Sequence, residues 1–275
     1  MSLTMNGFII HFACLTHTGN VREMNQDCFC FPGSSSSFTT NSSSSFTSNE
    51  GITNSGYADC NSYPVFAVFD GMGGERHGEI ASRIAASVLD TRVGVFTLNQ
   101  SVPSDLLRVC QEMNEAVCKY SADNNIRRMG TTAAILVFDD DYGYVCNVGD
   151  SRIYLLDGHN NSVLGTANEP GIVMMSRDHS QIGSHSKKPQ LTQYIGVPPI
   201  EFIVEPHMAT VSLAKGDRWL LCSDGLTDLV SDNLLTQILL SKSDTTGCAG
   251  LLLDYALAAG GFDNTTVIVC DIEGG

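Results

Sequence analysis

The chain has 275 residues, 43% hydrophobic and 16% charged, a composition that builds a core and excludes an intrinsically disordered polymer. With 15 Lys plus Arg against 30 Asp plus Glu, the formal net charge is −15, which excludes phosphate-driven nucleic-acid binding and polybasic attachment to membranes. No uncharged apolar run reaches the ~18 residues of a membrane span, and the most apolar stretch, 248–259, is broken by Asp254.

Residues 1–6 lack a basic segment followed by an apolar run, so no secretory signal is read there. The ten cysteines fall at irregular spacings without a C-x-x-C pair, and Cys146, Cys222 and Cys270 sit inside apolar runs. They read as buried reduced thiols of a cytoplasmic protein. Residues 1–275 are expected to form a single domain that acts as a monomer.

Residues 8–15 and 28–31 read as strands. A segment rich in Ser, Thr and Asn, 33–62, follows and offers little apolar surface to bury, so it is expected to be a long loop or an extended hairpin inserted between two strands and dispensable for catalysis. The β-rich run 64–69 ends abruptly at Asp70-Gly71. From Gly78 onward, Ile80, Ala81, Ile84, Ala85, Val88 and Leu89 recur at helical spacing, and Ser104 is placed as the N-cap of a second amphipathic helix through Leu106, Met113 and Tyr120. The period then changes to that of a meander, with strands at 131–138, 143–148 and 152–156. After a loop-rich zone at 157–196, strands are expected at 201–205, 207–213 and 218–222, helices at 232–241 and 247–259, and a closing strand at 265–272. Strands and helices come in groups without strict βαβ alternation, the order of packed sheets with helices outside.

Four strand ends carry an aspartate beside a small or turn-forming residue: Asp70-Gly71, Gly149-Asp150-Ser151, Asp224-Gly225 and Asp263-Asn264. One such pair is ordinarily a turn. Four in one domain, with Asn25-Gln26-Asp27 after the first strand, gather like charges at the edge of a core, where they repel unless a cation neutralises them. Carboxylates, a glycine carbonyl and water are the oxygen ligands preferred by Mg²⁺ and Mn²⁺, and two such ions about 3.5–4 Å apart activate a shared water for attack on phosphorus. No Walker loop, G-x-S-x-G elbow or H-E-x-x-H pair competes with this chemistry.

The motifs Arg22-Glu23-Met24-Asn25-Gln26-Asp27, Asp70-Gly71-Met72-Gly73-Gly74 with Gly78-Glu79, Gly130-Thr131-Thr132, Gly149-Asp150-Ser151-Arg152, Asp178-His179-Ser180, Leu191-Thr192-Gln193-Tyr194-Ile195-Gly196, Ser223-Asp224-Gly225-Leu226 and Asp263-Asn264 stand in this order. Together they resemble the metal-dependent serine/threonine protein phosphatases of type 2C, in their bacterial style, over residues 8–272. The resemblance implies an α+β fold, a four-layer α-β-β-α sandwich of two antiparallel sheets flanked by helices. It implies hydrolysis of phosphoserine and phosphothreonine on proteins, opposing a Ser/Thr kinase, by a water or hydroxide bridging two Mn²⁺ or Mg²⁺ ions, with a third held more weakly.

By motif position, Asp70 would bridge both ions, with the Gly71 carbonyl on one and Asp224 and Asp263 on the other. Asp150 would hold the third ion, Asp27 would stand in the metal–water shell, and Arg22 would pair with the substrate phosphate. Asn264 would orient the aspartates. Three departures bear on this assignment. Gln26 replaces the usual Glu and keeps an oxygen acceptor without its charge. Met72 and Glu75 stand where relatives carry a His, which leaves His77, two residues displaced, as the candidate proton donor. The flap is reduced to residues 180–190, which carry Lys187 and Lys188 and no acid. A small-phosphoester phosphatase shares the same motifs, and so does a catalytically silent phosphoprotein-binding relative, against which the intact Asp70, Asp224 and Asp263 argue.

Overall fold

Most of the apolar runs are continuous rather than alternating because their strands are buried on both faces. The computed structural model describes residues 7–33, 52–73, 77–96, 101–158, 171–182, 189–241 and 243–274. In chain order these form β1 (Phe8–His17), β2 (Cys28–Cys30), β3 (Ile52–Asp59), β4 (Val65–Phe69), β5 (Gly71–Met72) and the helices α1 (His77–Arg92) and α2 (Val102–Asp123). Next come β6 (Gly130–Thr131), β7 (Ala133–Phe138), β8 (Tyr142–Val148), β9 (Arg152–Leu156), β10 (Ile172–Met174), β11 (Ser180–Ile182), β12 (Pro189–Leu191), β13 (His207–Ser212) and β14 (Arg218–Cys222). The helices α3 (Asp224–Thr227), α4 (Asp232–Leu239) and α5 (Thr245–Ala258) precede the last strand, β15 (Thr265–Gly274).

One sheet has the order β10-β9-β14-β15-β1-β3 and the other β13-β8-β7-β4-β2, with every neighbouring pair antiparallel. Three apolar layers separate four structural ones. Phe12, Phe66, Leu136, Trp219 and Ile268 fill the space between the sheets. Val65, Ala67 and Phe69 of β4 turn the other way, onto Ala85 and Leu89 of α1 and Met113 of α2. Val267 and Val269 of β15 meet Leu235 of α4 and Leu252 of α5. Successive residues of a strand therefore enter different cores, the geometric consequence of a period of two between two packed layers. This is the expected four-layer α-β-β-α sandwich.

Three expectations require correction. Residues 34–51 of the Ser/Thr/Asn-rich insertion lie outside the described residues, and of the two expectations for it the loop fails over 52–59, which form β3, an edge strand paired to β1 from Ile9↔Asp59 to Thr16↔Ile52. Low apolar content suits an edge strand with one face in solvent, and Tyr57 is 79% exposed. Residues 201–205 form no strand, because Pro198, Pro199 and Pro206 around them remove ladder donors. The second helix begins at Val102, and its cap is Ser101, whose Oγ accepts the Ser104 N–H at 3.4 Å. The zone 157–196 also carries short strands, β10 on the first sheet and the β11–β12 pair on its own.

Phe66 is fully buried, with its ring 5.2 Å from Phe12 and 5.9 Å from Phe138 in edge-on contacts. Phe66→Ala is expected to lower the free energy of unfolding by about 3–5 kcal/mol, read from denaturant titration at unchanged m-value.

Candidate active site

Strand register brings the motif loops together. β4 ends at Phe69, opposite Cys28 at the start of β2, and Ala133 of β7 faces Val148 at the end of β8. Cys222 at the end of β14 faces both Val267 and Arg152, while His17 at the end of β1 faces Thr265. Every loop bearing Arg22, Asp27, Asp70, Asp150, Asp224 or Asp263 therefore leaves the sandwich at the same end. A cavity of about 1140 Å³ opens there, and Arg22, Gln26, Asp70, Gly71, Asp150, Asp224, Asp263 and Asn264 lie on its wall.

Two glycines are required by close approach rather than by a turn. A Cβ on Gly71 would stand 2.2 Å from the Gly78 carbonyl oxygen, so the base of the site and the first turn of α1 touch backbone to backbone. A Cβ on Gly225 would stand 2.0 Å from the carbonyl oxygen of Asn264, which joins the Asp224 and Asp263 loops.

The main chain of Asp70 is clamped by Thr131 and Thr132. Its N–H donates to Thr132 Oγ1, and its carbonyl accepts from the Thr132 N–H and the Thr131 hydroxyl, each at 2.9 Å. Thr132 Oγ1 also lies 2.7 Å from Ser151 Oγ, next to Asp150. The Asp150 turn is held from the far side by His179, whose N–H donates to the Gly149 carbonyl at 2.9 Å, and by a two-pronged Arg152–Asp178 pair at 2.7–3.1 Å. Asn264 ties the first motif loop to β15. Its Oδ1 accepts the Gln26 N–H at 2.8 Å, and its Nδ2 donates to the Thr18 and Met24 carbonyls at 2.8 and 2.9 Å.

Arg22 meets Asp263: Nη2 donates to Oδ2 at 2.6 Å, while Oδ1 accepts the Asn264 N–H at 2.9 Å. Asp27 is 1% exposed and lies behind the cavity wall. Its Oδ2 accepts from Ser223 Oγ at 2.8 Å and Thr266 Oγ1 at 2.7 Å, and its Oδ1 has no hydrogen-bond partner. His77 is the first residue of α1, packed beside Gly73, and is not among the side chains that line the cavity. Gly74 and Glu75 lie outside the described residues, as do Lys187 and Lys188 between β11 and β12.

These carboxylates disfavour their own ionised forms. Burial, followed by the charges of Asp224, Asp27 and Asp150, pushes Asp70 well above the usual carboxylate range, and its carboxyl shares a hydrogen bond with that of Asp224. Asp150 rises to about 7 through burial and then Asp224 and Asp178. Asp27 also reaches about 7, chiefly by burial, against the opposing help of Thr266 and Ser223.

Crowded acids with an orphaned buried oxygen fit a divalent cation. Among the described residues no three His, Cys, Asp or Glu side chains form a complete ligand group. An ion held here would draw part of its shell from carbonyl, amide and water oxygens. The Gly71 carbonyl oxygen lies against Gly78, and Gln26 adds its side chain to the wall.

The family model described as Protein phosphatase 2C matches residues 55–245. The chain belongs to the protein phosphatase 2C family. This phosphatase 2C chain is 30% identical to the serine/threonine phosphatase stp of Listeria monocytogenes serotype 4b, covering 76% of itself and 84% of that protein. It is 31% identical to protein phosphatase PhpP of Streptococcus pneumoniae, over 74% of itself and 84% of PhpP. Among solved structures, the S. agalactiae serine/threonine phosphatase shares the fold with a TM-score of 0.74 at 24% identity, covering 96% of this chain and all of that one. The PstP catalytic domain, solved in complex with two manganese ions, does so with a TM-score of 0.71 at 23% identity, covering 97% of this chain and 99% of that one.

From sequence alone Asp178-His179 is a motif with no role assigned to it, and Arg128 is not singled out. Asp178-His179 is a motif whose positioning role shows only in its contacts with Arg152 and Gly149. Arg128 stands on the cavity wall just before Gly130-Thr131-Thr132, where an arginine at a helix-to-strand connection carries no signal by itself.

The raised carboxylates set a pH dependence. Asp27 and Asp150 hold protons in the metal-free fold up to about pH 7, whereas the unfolded chain releases them near 3.8. Their contribution to stability is complete below about pH 4 and is lost as the pH rises through about 7. Metal-free protein is expected to melt at higher temperature near pH 5 than near pH 8, and Mn²⁺ is expected to raise the midpoint more at pH 8. Equal stabilisation by Mn²⁺ at both pH values would contradict this coupling.

Proposed function

We propose that this protein, a serine/threonine protein phosphatase of the 2C type, hydrolyses phosphoserine and phosphothreonine on protein substrates in the acidic cavity, opposing a Ser/Thr kinase. The observation that carries the reading is the convergence of Asp70, Asp150, Asp224 and Asp263 with Arg22 on one wall. Asp70, the Gly71 carbonyl, Asp224 and Asp263 would hold two Mn²⁺ or Mg²⁺ ions, and Asp150 a weaker third. When bound, such ions supply an activated water and neutralise charge on the phosphoryl oxygens.

The side chains of the protein do the rest. Arg22 engages Asp263 through one nitrogen and keeps its other N–H donors for a phosphate, which the planar fork matches through two oxygens. Asp27 and Gln26 carry carboxylate and amide oxygens that would accept from water held beside the aspartates. Asn264 keeps the Arg22 loop and Asp263 in one frame through its four hydrogen bonds. All ten cysteines are free, which supports a reducing compartment, the cytoplasm. Among the described residues no helix is long and apolar enough to cross a membrane.

Phosphopeptide hydrolysis in Mn²⁺, set beside p-nitrophenyl phosphate as the small ester, tests the substrate class. Chelator is expected to abolish turnover and added Mn²⁺ to restore it; full activity after exhaustive chelation would sink the metal assignment. Asp70→Asn is expected to lower kcat by more than about 10³-fold, roughly 4 kcal/mol in the barrier. Arg22→Ala is expected to raise KM for a phosphopeptide more than it lowers kcat, and an unchanged KM would place the guanidinium outside substrate recognition.

A further inference from the structure

We propose that Arg128 reads a second anionic group on the substrate, a carboxylate or phosphate carried close to the phosphorylated serine or threonine. The inference rests on the phosphatase reading above and adds a specificity determinant to it.

Among the described residues the cavity wall carries two cationic side chains, Arg22 and Arg128. Arg22 gives one nitrogen to Asp263 at 2.6 Å, and its remaining donors are assigned to the phosphate that is hydrolysed. Arg128 is exposed and makes no hydrogen bond or ion pair with any described residue, although Glu23, Asp70, Asp150, Asp224 and Asp263 line the same cavity. A long cation that shares a wall with five acids and pairs with none of them keeps its full donor set for an incoming group.

Its base is rigid. The Arg128 carbonyl oxygen lies 3.1 Å, and the Met129 Cα 3.2 Å, from where a Cβ on Gly73 would stand. Met129 is buried, and Gly130 pairs with Met72 in the β5–β6 ladder. The guanidinium therefore leaves a backbone fixed against the segment that follows Asp70, so its reach is measured from the reaction centre.

Charge supplies the reason for such a residue. Even with the aspartates neutralised by cations, a chain of net charge −15 repels acidic peptides. A planar fork with five N–H donors offsets that repulsion locally and matches carboxylate or phosphate oxygens in pairs.

The test uses three phosphopeptides identical but for one residue scanned from three before to three after the phosphoserine: Gln, Glu, or a non-hydrolysable phosphonate analogue of phosphoserine. The readout is the ratio of kcat/KM for each acidic peptide to that for the Gln peptide, in Mn²⁺. Wild-type enzyme is expected to favour an acidic peptide by about tenfold at one or two positions, the scale of one charge-assisted hydrogen bond. Arg128→Ala is expected to bring that ratio close to one, Arg128→Lys to retain part of it, and Arg128→Glu to invert it. The better of the Glu and phosphonate peptides identifies the source of the second anion.

A ratio unchanged in Arg128→Ala overturns the proposal, and so does an equal loss on all three peptides, which would make Arg128 a support of the site rather than a reader of sequence. Matching thermal midpoints establish that the variants are folded. Wild-type enzyme inactive on every phosphopeptide would instead overturn the phosphatase reading, an outcome distinct from activity without acidic preference.

Discussion

Repulsion among aspartates is the constraint around which this molecule is arranged. Asp70, Asp150, Asp224 and Asp263 share one cavity, with Asp27 buried behind it, and burial, then their mutual charges, push Asp70, Asp150 and Asp27 upward in pKa. Such a cluster does not persist by local preference. It is imposed by the register of two antiparallel sheets, which ends β4, β8 and β14 at one edge and begins β15 there. The electrostatic cost is borne by three separate apolar layers. An active site of this kind is strained toward a cation by the fold itself.

The polar groups around the aspartates have two kinds of task. Thr131, Thr132, Ser223 and Thr266 spend their hydroxyls on Asp70 or Asp27 and leave few free donors that a buried site would have to desolvate. The proton direction in one chain follows from this. Thr266 donates to Asp27, so the hydrogen bond between Thr16 and Thr266 must be donated by Thr16, which in turn accepts from Asn25 Nδ2. Asn264 and His179 act on backbone instead, and position whole loops rather than single carboxylates.

Much of this was legible in the sequence because both signals are local. An apolar run that stops at an aspartate marks a strand end, and a run without alternation marks a strand covered on both sides; residues 152–156 and 218–222 were bounded as found. What escaped depends on distant partners. Gly71 and Gly225 look like turn glycines, yet their necessity comes from Gly78 and Asn264, residues near them only after folding. The 201–205 segment has the composition of a strand, but it is flanked by Pro198, Pro199 and Pro206 and joins no ladder, which leaves Ile203 and the preceding Ile200 exposed. Arg128 has no local mark at all, since its meaning lies in the acids across the cavity.

The insertion shows most sharply why composition misleads. Hydroxyl-rich residues read as loop because they bury little, but an edge strand is also held by its backbone ladder, which a residue of any side chain but proline can join. β3 covers the outer edge of β1 along eight register pairs, from Ile9 to Thr16. β1 is thereby an inner strand, flanked on its other side by β15. Its far end passes through His17 and Gly19 into the loop that presents Arg22 and Gln26 to the cavity, where a Cβ on Gly19 would stand 2.4 Å from the Asp263 carbonyl oxygen. A strand with both edges paired resists fraying at its ends better than an exposed one, so β3 steadies the strand that leads into the Arg22 loop.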